Sequence, residues 1–353
     1  NCLSSCPVHV FQLSLSQLKA NRARSNCRCS PKKRERYLLS GLIVHRLALG
    51  IFTMWVVSLL VFASTEILPG DVAESILGKE APDEQIAKMR ERLGLNNPAY
   101  IRYWNWLSGL FVGDLGVSLG SGREISELIN DRLWNTVRLA AVTSIIAVPL
   151  AVTLGLVSAM RAGTVMDRSI SIGTLCMMSL PEFFVATLLV FVFAVQLRWL
   201  PAIPIVRPDQ SLLSSLTAIA LPVMTLTFGV LAHMARMTRN AVINVLSSAY
   251  IEMALLKGVP NWRIILFHAF PNALSPIINV IALNLAYLVA GVVIVETAFG
   301  YPGLARLMVE AVGTRDIPLV QACGMIFCAT YVLLNLFADI FSILSNPRLR
   351  TQK

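Results

Sequence analysis

Residues 273–295 read ALSPIINVIALNLAYLVAGVVIV, a stretch without a charged side chain. An α-helix rises 1.5 Å per residue, so about 20 apolar residues cross the roughly 30 Å hydrocarbon core of a bilayer. This stretch is therefore long enough and apolar enough to span a membrane. Pro276 lies inside it, and Pro149, Pro181 and Pro222 lie inside similar runs. Such prolines are tolerated where neighbouring helices satisfy the freed backbone groups, so we expect bent, packed helices.

Five further runs share this apolar character. The chain has 353 residues, of which 56% are hydrophobic and only 14% are charged, whereas soluble domains have about 25% charged residues. A large soluble protein would hardly contain six such runs. We therefore predict an all-α integral membrane protein with six transmembrane helices: Leu47–Ser64, Val137–Met160, Ile170–Leu197, Leu216–Ala235, Ala273–Val295 and Pro318–Leu344.

The placement of lysine and arginine predicts the orientation, because cytoplasmic loops of membrane proteins carry an excess of these residues. Much of the net charge of +10 lies in residues 1–41. We interpret this tail as a disordered cytoplasmic segment near anionic lipid rather than as a nucleic-acid site. With the tail inside, the basic loops after the second and fourth spans are also inside, and the first loop, acidic on balance, is outside. Both termini are then cytoplasmic.

The loops divide the chain into four predicted regions. Residues 1–41 are the tail, and residues 42–132 hold the first span and a large extracytoplasmic loop. Residues 133–345 form a core of five spans, and residues 346–353 form the cytoplasmic C-terminus. In the large loop, which we expect to form a small lid or docking surface, residues 82–94 predict a helix. Its acidic residues come early and its basic residues late, as the helix dipole favours.

The largest inner loop contains the sequence YIEMALLKGVPNWRIILFHAFP at residues 250–271. Gly258 can adopt the left-handed conformation that ends a helix. Pro260 suits the start of a second helix, and Pro271 stops or bends that helix before the fifth span. The prediction is a helical hairpin on the cytoplasmic face. Its first helix contains apolar residues such as Met253, so a partner should cover it.

This hairpin resembles the EAA loop of binding-protein-dependent ABC importer permeases. The matching residues are Glu252, Ala254, Gly258, Phe270 and Pro271. Met253 stands where the family usually has Ala, and His268 stands where it usually has an aliphatic residue. In that family the loop forms the coupling helix that sits in a groove of the ATPase subunit, so the resemblance implies an ATPase-coupling role for these residues.

The wider chain, from about Val44 to Arg350, resembles the dipeptide/oligopeptide permease branch of that family. Trp134 stands where the branch often has Pro, and the tail before about Tyr37 has no recognised counterpart. The matching motifs are LPGD at 68–71, RERLGL at 90–95, GDLGVS at 113–118, VETAFGYPGL at 295–304, RDIP at 315–318 and NPR at 346–348.

The resemblance implies a multi-pass protein of the bacterial cytoplasmic (inner) membrane with the type I ABC importer permease fold. It implies transport of dipeptides, oligopeptides or a related small solute by alternating access. The implied partners are a second, homologous permease, two ATP-binding subunits and an extracytoplasmic solute-binding protein. The sequence agrees with an ATP site on another chain, because it contains no Gly-x-x-x-x-Gly-Lys-Ser/Thr phosphate loop. No cofactor is expected, and the chain is not expected to be an enzyme.

Acidic residues in or beside the spans are candidates for the translocation path or gate, because a carboxylate in a membrane faces protein or water rather than lipid. Glu182 fits either a contact with a substrate amine or a structural or gating hydrogen bond. Glu296 precedes a turn that resembles the outer turn which in this family faces the binding protein and outer gate; the alternative is a loop that merely reverses the chain. Asp339, nearer the cytoplasmic end of the sixth span, fits a helix–helix contact or snorkelling towards the surface. No metal site is predicted, because His233 and His268 lack a second ligand at helical spacing.

The main alternative function is that of a six-span channel or a secondary transporter that works without an ATPase. A channel needs a pore-lining ring or a re-entrant filter, and we find no candidate segment. It would also leave the apolar hairpin unexplained. A requirement of uptake for ATP and a separate binding protein would distinguish these functions.

Overall fold

The structure, a computed structural model, describes residues 31–67, 82–92, 95–205 and 211–345. The helix Glu182–Leu189 continues into a π-helix at Val190–Gln196, and the short helix Asn261–Arg263 continues into a π-helical turn at Ile264–Ala269. In chain order the helices of the described residues are α1 (Pro31–Ile67), α2 (Asp83–Arg92), α3 (Ala99–Val112), α4 (Ile125–Met160), α5 (Val165–Ser179), α6 (Glu182–Leu189), α7 (Leu212–Ala218), α8 (Ala220–Leu246), α9 (Ala249–Leu256), α10 (Asn261–Arg263), α11 (Phe270–Phe299), α12 (Leu304–Gly313) and α13 (Ile317–Ser345).

Six segments of the described residues are long and apolar enough to cross a membrane. Five are continuous helices, namely α4, α8, α11, and the stretches Val44–Glu66 of α1 and Ile317–Phe341 of α13. The third predicted span is instead the pair α5–α6, bent by 101°. The bend lies at Pro181, whose ring fixes φ and whose nitrogen cannot donate a helical hydrogen bond. The predicted all-α membrane fold is confirmed, with one span broken.

Several helices extend beyond the apolar runs that predicted them. Helix α4 begins at Ile125, before the predicted start at Val137, and α8 runs to Leu246. Helix α1 begins at Pro31, so residues 31–41, which we expected to be disordered, are helical; residues 1–30 and 346–353 lie outside the described part. Proline suits a first helical position, and the lysines, arginines and leucines after it are good helix formers.

Helix α8 is the centre of the bundle and packs most extensively against α4 and α11. In the most apolar 18-residue stretch of α8, 56% of the residues are buried inside the chain, whereas in that of α1 only 6% are buried. Helices α4 and α8 approach each other closely at Gly155, where an added Cβ would stand 2.7 Å from both Ala235 O and Thr238 Cβ. Glycine therefore sets the spacing of these two helices.

The bundle has two ends, which carry different features. At the hairpin end, the end of α4, the end of α8 and the start of α11 share a small core that includes Ala159, Val242 and Ala273. At the opposite end, here called the loop end, the starts of α4, α12 and α13 meet around Ile125 and Leu304. The candidate coupling residues lie at the hairpin end.

Candidate coupling hairpin and membrane carboxylates

The hairpin of residues 250–271 consists of α9, a glycine turn, and α10 with its π-helical extension. Gly258 has φ +75°. Its N–H donates to Leu255 O at 2.9 Å, and the Val259 N–H donates to Ala254 O at 3.3 Å. These two bonds form a Schellman motif, and Ala254 and Val259 pack in the same small cluster, as that motif favours. The predicted hairpin and its glycine turn are confirmed.

The hairpin has one buried and one exposed face. On the buried face, Ile251, Ile264 and Ala269 form a small core with residues at the end of α8. On the exposed face, Met253 is 57% exposed and Leu256 is 83% exposed. Trp262 and Phe267 of the second arm are also exposed. An exposed apolar surface of this kind is characteristic of a site that binds a protein partner or a membrane.

The five candidate coupling residues lie in this hairpin, but they do not share one face. Glu252 and Gly258 are exposed, and Ala254 is half-buried beneath the exposed face. Phe270 packs into the core at the hairpin end, and Pro271 is exposed in the first turn of α11. The sequence motif thus combines surface positions with positions that hold the hairpin on the bundle.

Glu182 lies where the broken span turns, in the first turn of α6. Its carboxyl group lies against Gly229 of α8 and Gly291 of α11, which an added Cβ would bring within 3.1 and 3.2 Å of its oxygens. At a rise of 1.5 Å per residue, each glycine lies about 12–14 Å along its helix from the loop end of the bundle. Oε2 is buried and has no hydrogen-bond partner among the described residues. We call this place the glycine notch.

Glu296, near the end of α11, is fully buried. Its Oε2 accepts hydrogen bonds from the N–H groups of Ala305 at 2.8 Å and Arg306 at 3.2 Å. These are the second and third residues of α12, whose preceding residue, Gly303, has no side chain to cap the helix. Glu296 therefore caps α12 from a neighbouring helix, and its negative charge suits a helix N-terminus.

The turn that follows Glu296 is fixed to the start of α4. Thr136 Oγ1 donates to Glu296 Oε1 at 2.6 Å and accepts from the Leu304 N–H at 2.8 Å. Tyr301 donates to Asn135 O at 3.1 Å. Burial, with a smaller contribution from the charge of Glu296, raises the pKa of Tyr301 to about 12, so its hydroxyl keeps the proton that it donates. These hydrogen bonds fix the turn to the start of α4 and so to the helix bundle.

An ion pair that the sequence analysis did not single out joins three helices near the hairpin end. Asp167 of α5 accepts two hydrogen bonds of 2.7 Å from the Arg239 guanidinium of α8. It also accepts from Ser158 of α4 at 2.5 Å and from the Gly163 N–H at 2.9 Å. A sequence signal existed, because Thr164 and Asp167 form the Ser/Thr-x-x-acidic pattern of a helix start, and Thr164 is the cap of α5.

Another buried carboxylate, that of Asp316, fastens the loop end. It accepts from Ser118 Oγ at 2.5 Å and from the N–H groups of Leu119 and Gly120 at 3.1 and 3.2 Å. Residues 116–120 read GVSLG, which fits the Gly-x-Ser-x-Gly pattern of hydrolase nucleophiles. Ser118, however, lies in a loop that precedes α4 by several residues, not at a strand-to-helix elbow, and its hydroxyl is used in this anchor.

The remaining membrane carboxylate, Asp339, forms an ion pair of 2.8 Å with Arg46 of α1. The predicted helix–helix contact of Asp339 is therefore confirmed. His233 is exposed on α8, and the side chain of His268 lies outside the described part. The structure thus separates the candidates into a hairpin at one end and two carboxylates near the other. Glu296 belongs to the loop-end half of α11, and Glu182 of α6 lies against Gly291 in that half.

Two family models match the chain over most of its length. Residues 151–351 match the binding-protein-dependent transport system inner membrane component, and residues 39–140 match the N-terminal part of such membrane components. The chain belongs to this family. It is an inner-membrane permease subunit of an ABC importer and has no catalytic activity of its own. As a family member, the permease works with ATP-binding subunits, another permease and a binding protein.

Curated relatives are similar over nearly their full length. The permease is 35% identical to a probable peptide ABC transporter permease, y4tP, of Sinorhizobium fredii, over 87% of this chain and 98% of the relative. It is 34% identical to the glutathione transport system permease GsiC of Escherichia coli K12, with the same coverage. A solved structure of the MetNI methionine ABC transporter in an inward-facing conformation has 18% identity and a TM-score of 0.48, over 63% of this chain and 97% of that chain.

Proposed function

We propose that this permease moves peptides, or a related small solute, across the inner membrane by alternating access. The relatives support the substrate class, because they are named as peptide and glutathione transport permeases. The observation that carries the mechanism is the exposed apolar face of the hairpin. A bundle that only formed a channel would have no use for an uncovered apolar surface at its hairpin end.

The hairpin is the proposed coupling element for an ATP-binding subunit. Leu256 and Met253 supply the apolar contact, and Glu252 supplies a charge beside it. The Schellman turn at Gly258 fixes the angle between the two arms, and Phe270 and Pro271 join the second arm to α11. Movement of the docked surface would therefore reach α11 through a helical connection.

The proposed assembly contains this permease, a second homologous permease, two ATP-binding subunits and an extracytoplasmic solute-binding protein. In this arrangement the basic hairpin end and both termini are cytoplasmic. ATP closes the two ATP-binding subunits, each hairpin moves with its docking site, and the path between the permeases opens to the opposite side. The energy comes from contacts that differ between the two states.

Glu182 and Glu296 are proposed to have different roles in the translocation path. Glu182 is only partly buried, and a membrane carboxylate faces protein or water rather than lipid, so the glycine notch is proposed to line the path. Glu296 is proposed to hold the turn of residues 299–303 in a fixed shape, because its bonds tie that turn to α12 and α4. In this proposal Glu296 supports the outer gate from behind and does not contact solute.

Substitution of Gly258 by valine tests the coupling role. Valine at φ +75° is strained, and the strain should open the Schellman turn and misalign the exposed face. We expect the reconstituted complex to hydrolyse ATP while the uptake of a labelled peptide per ATP falls. Gly122→Val is the matched control, because Gly122 also has a positive φ (+67°) and open space around it, but lies in the loop before α4. Uptake per ATP by the control should remain at the wild-type value.

Normal uptake by the Gly258→Val complex would contradict the coupling role. Equal loss in both variants would show that backbone strain alone is harmful, which also contradicts it. The function as an importer is tested separately with the wild-type protein. Uptake by proteoliposomes that persists without ATP or without the binding protein would favour a channel or a secondary transporter instead.

A further inference from the structure

Helix α3 exposes an apolar face that the described residues leave uncovered. Among its 14 residues, AYIRYWNWLSGLFV, Arg102 is the one charged residue. Tyr100 is 67% exposed, Trp104 61%, Phe111 85% and Val112 86%. The sequence places α3 in the large loop, where we expected a lid or docking surface in water. A continuous face of large apolar side chains is unfavourable there.

The contacts of α3 with α1 lie inside the membrane span of α1. The hydroxyl groups of Tyr103 and Ser58 form a buried hydrogen bond of 2.8 Å. Ser58 precedes Glu66, the last residue of that span, by eight residues, which corresponds to about 12 Å along a helix axis. Phe62 lies between these depths, and its ring meets the Tyr103 ring edge-on, with centroids 5.4 Å apart. Helix α3 therefore lies below the end of the span, not beyond it.

The charged group of α3 reaches the end of the span. Arg102, the neighbour of Tyr103, forms an ion pair with Glu66. Arg102 thus lies at the level of Glu66, at the end of the span. The Tyr103 side chain contacts α1 about two helical turns deeper in the span. Two tyrosines and two tryptophans occur among its 14 residues. Such aromatic residues are enriched where a membrane meets water, and arginine side chains extend towards the surface from there.

An apolar groove of about 680 Å³ runs beneath α3, between α1 and α13. Leu107 and Phe111 of α3 line one part of it, and Trp55 of α1 lines the middle. Leu47 and Leu336 line the part towards the hairpin end, so the groove follows most of the depth of the span. Because α1 is the least buried of the five continuous spanning helices, this side lies at the periphery of this chain's helix bundle.

We propose that α3 is an interfacial helix embedded in the membrane leaflet at the Glu66 end. Its exposed face contacts lipid headgroups and the upper acyl chains, and a lipid acyl chain fills the groove beneath it. The depth of the Tyr103–Ser58 contact argues against a position in bulk water, and the combination of tyrosine, tryptophan and a single arginine on α3 favours the membrane interface over a protein partner. The first loop is thereby held on the membrane surface, which limits the part of it that is available for a lid.

Nitroxide depth measurements on the full complex in lipid nanodiscs test this proposal. The label is attached to Ser108→Cys, in a background without the native cysteines, because Ser108 is small, exposed and on the same face as Trp104 and Phe111. A second label at Phe111→Cys checks the result. Glu127→Cys is the control, because Glu127 is exposed near the start of α4 and forms a surface ion pair with Arg123.

We expect collisions with oxygen, which concentrates in lipid, to exceed those with a water-soluble nickel chelate several-fold at residues 108 and 111. The ratio should be reversed at residue 127. Free access of the nickel chelate to residues 108 and 111 would overturn the proposal, because α3 would then lie in water. Protection from both reagents would overturn it as well, because a protein subunit would then cover the face.

Discussion

The capping of α12 by Glu296 can be tested by adding one methyl group at Gly303. A Cβ added at Gly303 would overlap the Oε1, Cδ and Oε2 atoms of Glu296, so Gly303→Ala must displace that carboxylate. The backbone at Gly303 has an ordinary φ of −104°, so strain adds nothing. Displacement breaks the bonds of 2.8 and 3.2 Å to the α12 backbone. Hydrogen bonds to charged groups contribute about 1.5–3 kcal/mol each, so the loss of two such bonds should lower the free energy of unfolding by about 3–6 kcal/mol.

The matched control is Gly313→Ala, at the other end of the same helix. Nothing lies within 4 Å of a Cβ at Gly313, and its φ is not positive. Alanine in a helix is favoured over glycine by about 0.5–1 kcal/mol, so this variant should be as stable as the wild type or slightly more stable. Titration with SDS in mixed micelles, followed by circular dichroism, measures all three proteins under one condition.

A double-mutant cycle identifies the cause of the loss. In a Glu296→Ala background the carboxylate is already absent, so the added methyl group at Gly303 should cost little. We therefore expect a coupling energy close to the whole loss in the wild-type background, about 3–6 kcal/mol between the two sites. If Gly303→Ala is as stable as Gly313→Ala, or loses equal stability with and without Glu296, then Glu296 does not cap α12.

Two further substitutions test the packing of the bundle. Gly155→Ala should lose about 1–3 kcal/mol of unfolding free energy in the same titration, because its Cβ would collide with α8. The control Gly173→Ala, which meets open space on α5, should not lose stability. Equal stability of the two variants would refute the close α4–α8 contact. Asp167→Asn should lose about 2–3 kcal/mol, because it leaves the Arg239 guanidinium without its charged partner. Replacing both Asp167 and Arg239 by apolar residues should lose less, and a larger loss in the double variant would contradict this explanation.

The spans were predictable because the membrane imposes one strong requirement, an apolar run of sufficient length. The ends of the helices were less predictable, since a helix can continue into water after the apolar run stops. Helix α4 shows this, because it starts at Ile125 and includes polar residues before Val137. Pro181 indicated a bent span, but a proline alone does not predict a break of 101°.

The hairpin turn could be predicted from the local sequence, whereas the hydrogen-bond partners of Glu296 could not. Gly258 and the prolines around it act through their own backbone, so their sequence positions suffice. The partners of Glu296 include Thr136, which is 160 residues away in the chain. The sequence analysis therefore left the role of Glu296 open. The position of α3 was missed for a similar reason, because it depends on the contact between Tyr103 and Ser58.

The glycine notch has a consequence for how motion can be observed. Gly229 and Gly291 lie on α8 and α11, the two helices that the hairpin joins at its own end of the bundle. A tilt of the hairpin relative to the membrane must change the separation of these helices at the depth of Glu182, unless both rotate as one body. In the proposed assembly, the width of the notch should therefore change with the nucleotide state of the ATP-binding subunit that holds the hairpin.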